Sequence, residues 1–169
     1  MKEGENIADI LEALEQLSDI LCKVTYFSKA YEILNAASKD INGSPVLHEL
    51  IARVAFVMED FKKSIYHNQK AAKLQPEECS HNKSDIGLAY YRMGLQTGDS
   101  KHFESGFKFC REALELNSMS SNAMVNMGLI YKHQNGIEDA LKMFKAAKQH
   151  DPSNVAAIVN IGCIEYEEF

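Results

Sequence analysis

Tryptophan is absent, proline occurs three times, and no two cysteines are spaced C-x-x-C. So few prolines leave room for long helices, because each proline removes a backbone donor and clashes with the preceding turn. The four cysteines, Cys22, Cys79, Cys110 and Cys163, stand at least 31 residues apart, which indicates neither a zinc site nor a disulfide framework. With a net charge of −6 and no block of Lys or Arg, the chain lacks the basic stripe that neutralises nucleic-acid phosphates. No apolar run approaches the roughly 18 residues of a membrane span, and the opening MKEGENIADI has no signal-peptide core. The expectation is a soluble, cytoplasmic chain without nucleic-acid or membrane partners. In that compartment the glycosylation sequons at Asn42 and Asn82 carry no meaning.

Chemistry is missing as well. His48-Glu49 lacks the second histidine of H-E-x-x-H, no phosphate-binding G-x-x-x-x-G-K-[ST] loop occurs, and the six histidines are scattered. No catalytic residue, metal site or cofactor is expected. Cys79 with His81 is too sparse for a metal, and Cys110 falls on a buried apolar column where a thiol acts as a small hydrophobe.

What is present is a helix-turn-helix pattern, clearest over Ser121 to Asn154, in a chain whose 46% apolar residues suffice for a core. Met124, Met127 and Tyr131 recur at three- and four-residue steps, as do Ile137, Leu141 and Phe144, so two apolar stripes can meet. Gly128 removes a side chain where the first helix crosses the second near Ala140. Asn135-Gly136 supplies the turn, and Pro152 stops the second helix near His150, with Ser153 and Asn154 free to cap the next. The pattern repeats in columns with a 34-residue period. Ser18, Ala52, Gly94, Gly128 and Gly162 are all small, Ala37, Ala71, Ala113 and Ala147 form a second column, and Phe27, Phe61, Phe103 and Ile137 open the second helices.

Met124, Met127-Gly128, Tyr131, Ala140, Phe144 and Pro152 resemble the signature of the tetratricopeptide repeat (TPR), with Met124 in place of the usual Trp. The resemblance covers about residues 11 to 166. It implies an all-α fold, a right-handed superhelix or solenoid of TPR-like helical hairpins. Residues 1–169 then form a single TPR domain with repeats at about 11–44, 45–86, 87–120 and 121–154 and a half repeat at 155–169. Ser44 and Pro45 suit the start of the second repeat. Forty-two residues separate Pro45 from Gly87, so eight residues, 77–84, are inserted. They form either an irregular loop or a leading extension of the next helix. In the third repeat Thr97-Gly98-Asp99-Ser100 shortens the first helix, and Gly106 in place of Ala140 costs about 0.5–1 kcal/mol in a helix interior.

By the same resemblance, the first helices line a concave surface that binds peptides. Its inward positions are acidic at the start (Glu12, Glu15, Asp19, then Val46, Glu49 and Arg53). They are apolar further on (Leu88, Tyr91 and Leu95, then Asn122, Val125, Leu129 and Lys132, then Ala156, Val159 and Cys163). Asn126 and Asn160 share a column, continued upstream by Arg92, Leu50 and Gln16, that resembles the asparagine ladder of the O-GlcNAc transferase superhelix. Such amides can grip a peptide backbone; the alternative is solvated helix-face asparagines. The expected function is a non-enzymatic protein-protein interaction scaffold holding a peptide or helix of a partner in the concave groove. The expected partner-binding residues are Leu88, Tyr91, Arg92, Leu95, Val125, Asn126, Leu129 and Asn160. The alternative is a TPR co-chaperone binding an acidic chaperone tail, against which Glu15, Asp19 and Glu49 set like charge. Finally, Ala157, Ile161 and Ile164 can pack backward while Ile158 and Gly162 stay open, where a terminal repeat needs a polar face. This predicts self-association through Val155 to Phe169 or continuation into further repeats.

Overall fold

The computed structural model describes residues 2–23, 25–41 and 43–167. Val24 of the first apolar stripe, Asn42 of the turn that follows α2, and residues 168–169 of the half repeat lie outside the described residues. The described residues are helical, without strands. In order they form α1 (Lys2–Lys23), α2 (Phe27–Asp40), α3 (Pro45–Val57), α4 (Phe61–Leu74), a 3-10 turn (Pro76–Glu78), α5 (Ser80–Thr97), α6 (Ser100–Leu116), α7 (Ser121–His133), α8 (Ile137–His150) and α9 (Val155–Glu167). Contacts divide the chain into two compact units, Met1–Pro76 and Glu77–Phe169.

In the first unit α1 packs on α2 and α3, and α3 pairs with α4. Its core joins Ala30 and Leu34 of α2 to Leu47, Leu50, Ile51 and Val54 of α3, with Leu11, Leu14 and Leu21 of α1 against them. The boundaries follow local chemistry. Ser44 caps α3 by accepting a hydrogen bond from the Leu47 amide at 3.3 Å, with Pro45 in the first turn. Asp60 caps α4, its carboxylate accepting from the Lys63 amide at 3.2 Å. Each hairpin turn needs one left-handed residue. Thr25 (φ 65°), Glu59 (φ 60°) and Asn135 (φ 61°) fill that place, all three in matching positions once the insertion is counted.

In the second unit α5 pairs with α6 and α7 with α8, and α9 packs on α8. Its core gathers Met124, Val125, Ala140, Phe144, Ala147, Ala157, Ile161 and Ile164. Helix α8 stops at His150 ahead of Pro152, and Asn154 accepts from the Ala157 amide at 3.0 Å to start α9. Gly128 sits at the α7–α8 contact as expected, but the group nearest the space its Cβ would fill is the Phe144 ring, at 2.6 Å, rather than Ala140.

The third hairpin corrects two expectations. The eight inserted residues form the 3-10 turn and the leading end of α5, with Cys79, Asn82 and Ser84 buried. Helix α5 is therefore lengthened to 18 residues; only its C-terminal end is cut short, at Gly98 (φ 70°), which takes over the left-handed turn position. Gly106, in turn, is a packing requirement. A Cβ there would lie 2.9 Å from the carbonyl oxygen of Gly87, so the backbones of α5 and α6 meet where a side chain has no room.

Candidate functional site

Helix α5 carries Leu88, Tyr91, Arg92 and Leu95, spaced so that Leu88, Tyr91 and Leu95 share one face. Leu95 is 47% exposed, and Leu88, Tyr91 and Arg92 are half-buried. Leu129 on the neighbouring α7 is half-buried against the core. The Tyr91 ring stands edge-on to Phe103 (centroids 6.0 Å apart) and to His133 (6.5 Å). Burial raises its hydroxyl pKa above the usual value, opposed in part by the Arg92 charge.

Two predicted site residues are not on the surface. Val125 is buried in the core with Met124, Ala140 and Phe144. Asn126 is buried as well, and its amide donates to the Ser84 carbonyl at 3.0 Å and to Ser84 Oγ at 3.1 Å. The inserted segment thus supplies the residue that occupies the Asn126 amide group. Asn160 is half-buried, its amide donating to the Ala156 carbonyl one turn back at 2.8 Å. Asn126 is therefore turned into the interior, whereas the Asn160 amide stays on an exposed helix face, so the two do not form a presented ladder.

The acidic wall belongs to the first unit. There Arg53 Nη2 lies 3.2 Å from Asp19 and 3.5 Å from Glu15, an exposed network whose cation is shared between two carboxylates. Exposed pairs of this kind contribute little to stability but do neutralise the arginine. The structure also joins two histidines that sequence spacing does not connect. His48 Nδ1 and His67 Nδ1 lie 3.1 Å apart across α3 and α4. Burial, followed by His48 and by Lys63 and Lys70, pushes His67 down to about 4, and burial with Lys70 lowers His48. Burial also pushes the Cys110 thiol up to about 12, in keeping with an inert apolar role. Among the described residues no group of three or more His, Cys, Asp or Glu side chains is placed to hold a metal ion. No described helix is long and apolar enough to cross a membrane.

An open cavity of about 420 Å³ in the second unit is lined by Phe103, Glu104, Phe107, Lys108, Arg111, Tyr131 and Gln134. It shares no residue with the sequence-predicted set. Its aromatic floor, Phe107 edge-on to Tyr131 at 5.2 Å, comes from positions that the repeat pattern assigns to helix packing, so no sequence signal marks it.

No protein-family profile matches the chain. Over 151 residues, 83% of this chain, it is 25% identical to the Protein CTR9 homolog of Arabidopsis thaliana, and it spans only 13% of that relative's length. A thermophilic TPR protein of Thermus thermophilus superposes with a TM-score of 0.80 at 14% identity, covering 94% of this chain and 82% of its own. The first TPR of Spaghetti (RPAP3), bound to the HSP90 peptide SRMEEVD, superposes with a TM-score of 0.60 at 18% identity, covering 73% of this chain and 91% of its own. The 34-residue columns, the paired helices and these superpositions together place the chain among proteins of the tetratricopeptide-repeat fold.

Proposed function

We infer that the chain is a non-enzymatic, cytoplasmic protein-interaction scaffold that holds a peptide or helix of a partner protein on the inward face of α5 and α7. The observation that supports this reading is the run of Leu88, Tyr91 and Leu95 along one face of α5. It ends in an exposed leucine, and α5 packs against α7, the helix that carries Leu129. Apolar burial on this face supplies affinity, and the half-buried Arg92 offers a charge at its edge. Val125 and Asn126 are buried beneath the surface, and Asn160 lies on α9. Nucleic acid and membrane are not among the partners, given the charge of −6.

The test is Leu95→Glu, chosen because Leu95 is exposed and its loss spares the core. Partner capture by this variant is expected to fall by about tenfold or more, as for a hot-spot residue, with an unchanged melting temperature. Undiminished capture would remove this face from consideration. The co-chaperone alternative is separated by titrating the peptide SRMEEVD. No binding is expected, because the first-unit wall presents Glu12, Glu15 and Asp19 and its Arg53 is already paired.

A further inference from the structure

Helix α4 has no acidic residue. Its sequence, FKKSIYHNQKAAKL, holds four lysines in a chain of net charge −6, whereas α2, α6 and α8, its counterparts in the other hairpins, each mix lysine with Asp or Glu. The lysines form no block in sequence, but the helix gathers them. At about 100° per residue, Lys62, Lys63, Tyr66, Lys70 and Lys73 fall within one face about 100° wide, with Tyr66 near its middle. All five are exposed, Tyr66 by 53%. Ser64, Asn68 and Ala71 of the opposite face are buried, which holds the lysine face outward. Lys63 pairs with the capping Asp60 at 2.6 Å, and Lys70 lies over the Tyr66 ring, 5.4 Å from its centroid. Lys62 and Lys73 have no carboxylate partner among the described residues. The positive field also reaches inward, since Lys63 and Lys70 contribute to the lowered pKa of the buried His67.

We propose that the lysine face of α4 is a second docking surface, which takes an acidic α-helix of a partner protein. From Lys62 to Lys73 the face runs about 16 Å. A partner helix rises at the same rate. Asp or Glu at three- and four-residue steps over about three turns therefore meets the lysines along the whole face, with an apolar residue at the centre against the Tyr66 ring. An extended segment crosses that distance in about five residues and turns only every second side chain to the face, which supplies fewer carboxylates. Phosphate surfaces match it less well. Duplex DNA carries one charge per about 1.7 Å and an anionic bilayer extends far beyond one helix, so either brings negative charge that four lysines leave unmatched, against a chain that is acidic as a whole. The surface lies in the first unit and is independent of the face of α5 and α7.

The probe is a capped, stapled helical peptide of about four turns with Glu along one face and Leu at its centre, titrated into the full chain at low salt by fluorescence anisotropy. A scrambled peptide of the same composition, the peptide SRMEEVD, phosphatidylserine vesicles and a DNA duplex are the comparison arms. The expected result is binding of the first peptide about tenfold or more tighter than the scrambled one, weakening as salt rises, with none to SRMEEVD, which is too short for three turns. Lys62→Gln, Lys70→Gln and Lys73→Gln together are expected to weaken binding about tenfold or more at an unchanged melting temperature, since all three residues are exposed. Lys142→Gln, Lys145→Gln and Lys148→Gln on α8 remove the same charge from exposed positions and are expected to leave binding level. Leu95→Glu is expected to leave it level too, so this surface and the face of α5 and α7 fail separately. Absence of binding, equal binding of the scrambled peptide or equal losses in the two triple variants overturns the proposal. So does tighter binding to vesicles or to DNA, which would assign the face to phosphates.

Discussion

The third and fourth hairpins share their column positions and pack differently. In α7–α8 the Phe144 ring fills the space over Gly128, and Ala140 and Ala147 are buried on either side of it. In α5–α6 the residue in the Phe144 column is Cys110, whose sulfur instead lies nearest the Cβ position of Gly87, and the space over Gly94 is filled by Phe103 from further up its helix. The crossing has moved toward the inserted end of α5, where Gly87 and Gly106 bring the two backbones together. A shared column therefore fixes which faces meet. Where they cross depends on the neighbouring side chains and on the length of the helix.

Two glycines in helix interiors sharpen this contrast, because helix propensity alone treats them alike. Gly106→Ala is expected to cost about 1–3 kcal/mol by overpacking against the Gly87 carbonyl, outweighing the gain in propensity. Gly162→Ala is expected to gain about 0.5–1 kcal/mol, since nothing occupies the space its methyl would take. Denaturant midpoints read both, and a stabilising Gly106→Ala would break the contrast.

A smaller effect separates the buried polar contacts of the two units. Asn126 with Ser84 does not titrate, whereas His48 with His67 does. Both histidines have folded-state pKa values depressed below the ordinary imidazole value, which for His67 reaches about 4. Between about 4 and about 6.5 the unfolded chain then binds more protons, and stability is lost as pH falls through that window. The slope is at most about 1.4 kcal/mol per pH unit for each histidine. Urea unfolding at pH values from about 7 to about 5 checks it. The His67→Phe variant should lose most of this slope, and an undiminished slope would assign the effect elsewhere.

Much of the fold was legible because its determinants are local. Apolar periodicity, the caps Ser44 and Asn154, the break before Pro152 and the small residues of the Gly128 column all act within one hairpin. The fate of residues 77–84 was not legible. Cys79, Asn82 and Ser84 look like loop residues in sequence, and their burial depends on helices far along the chain, as the bond from Ser80 Oγ to the Ala113 carbonyl illustrates. The same long-range contact misled the site reading, since Asn126 sits on an inward column but its amide is bonded to Ser84. His48 and His67 are 19 residues apart on opposite helices, a spacing that carries no motif.

The central structural claim is that the inserted residues are part of the packed third hairpin and shape which inward residues remain available to a partner. Deleting 77–84 restores the 34-residue period, so thermal unfolding of that variant tests the claim directly. The expected result is a fall in midpoint of about 10 °C or more with a less cooperative transition, as buried Cys79, Asn82 and Ser84 and the Asn126 hydrogen bonds are lost. A midpoint equal to or above that of the intact chain would show that the segment is a dispensable loop and would contradict the account.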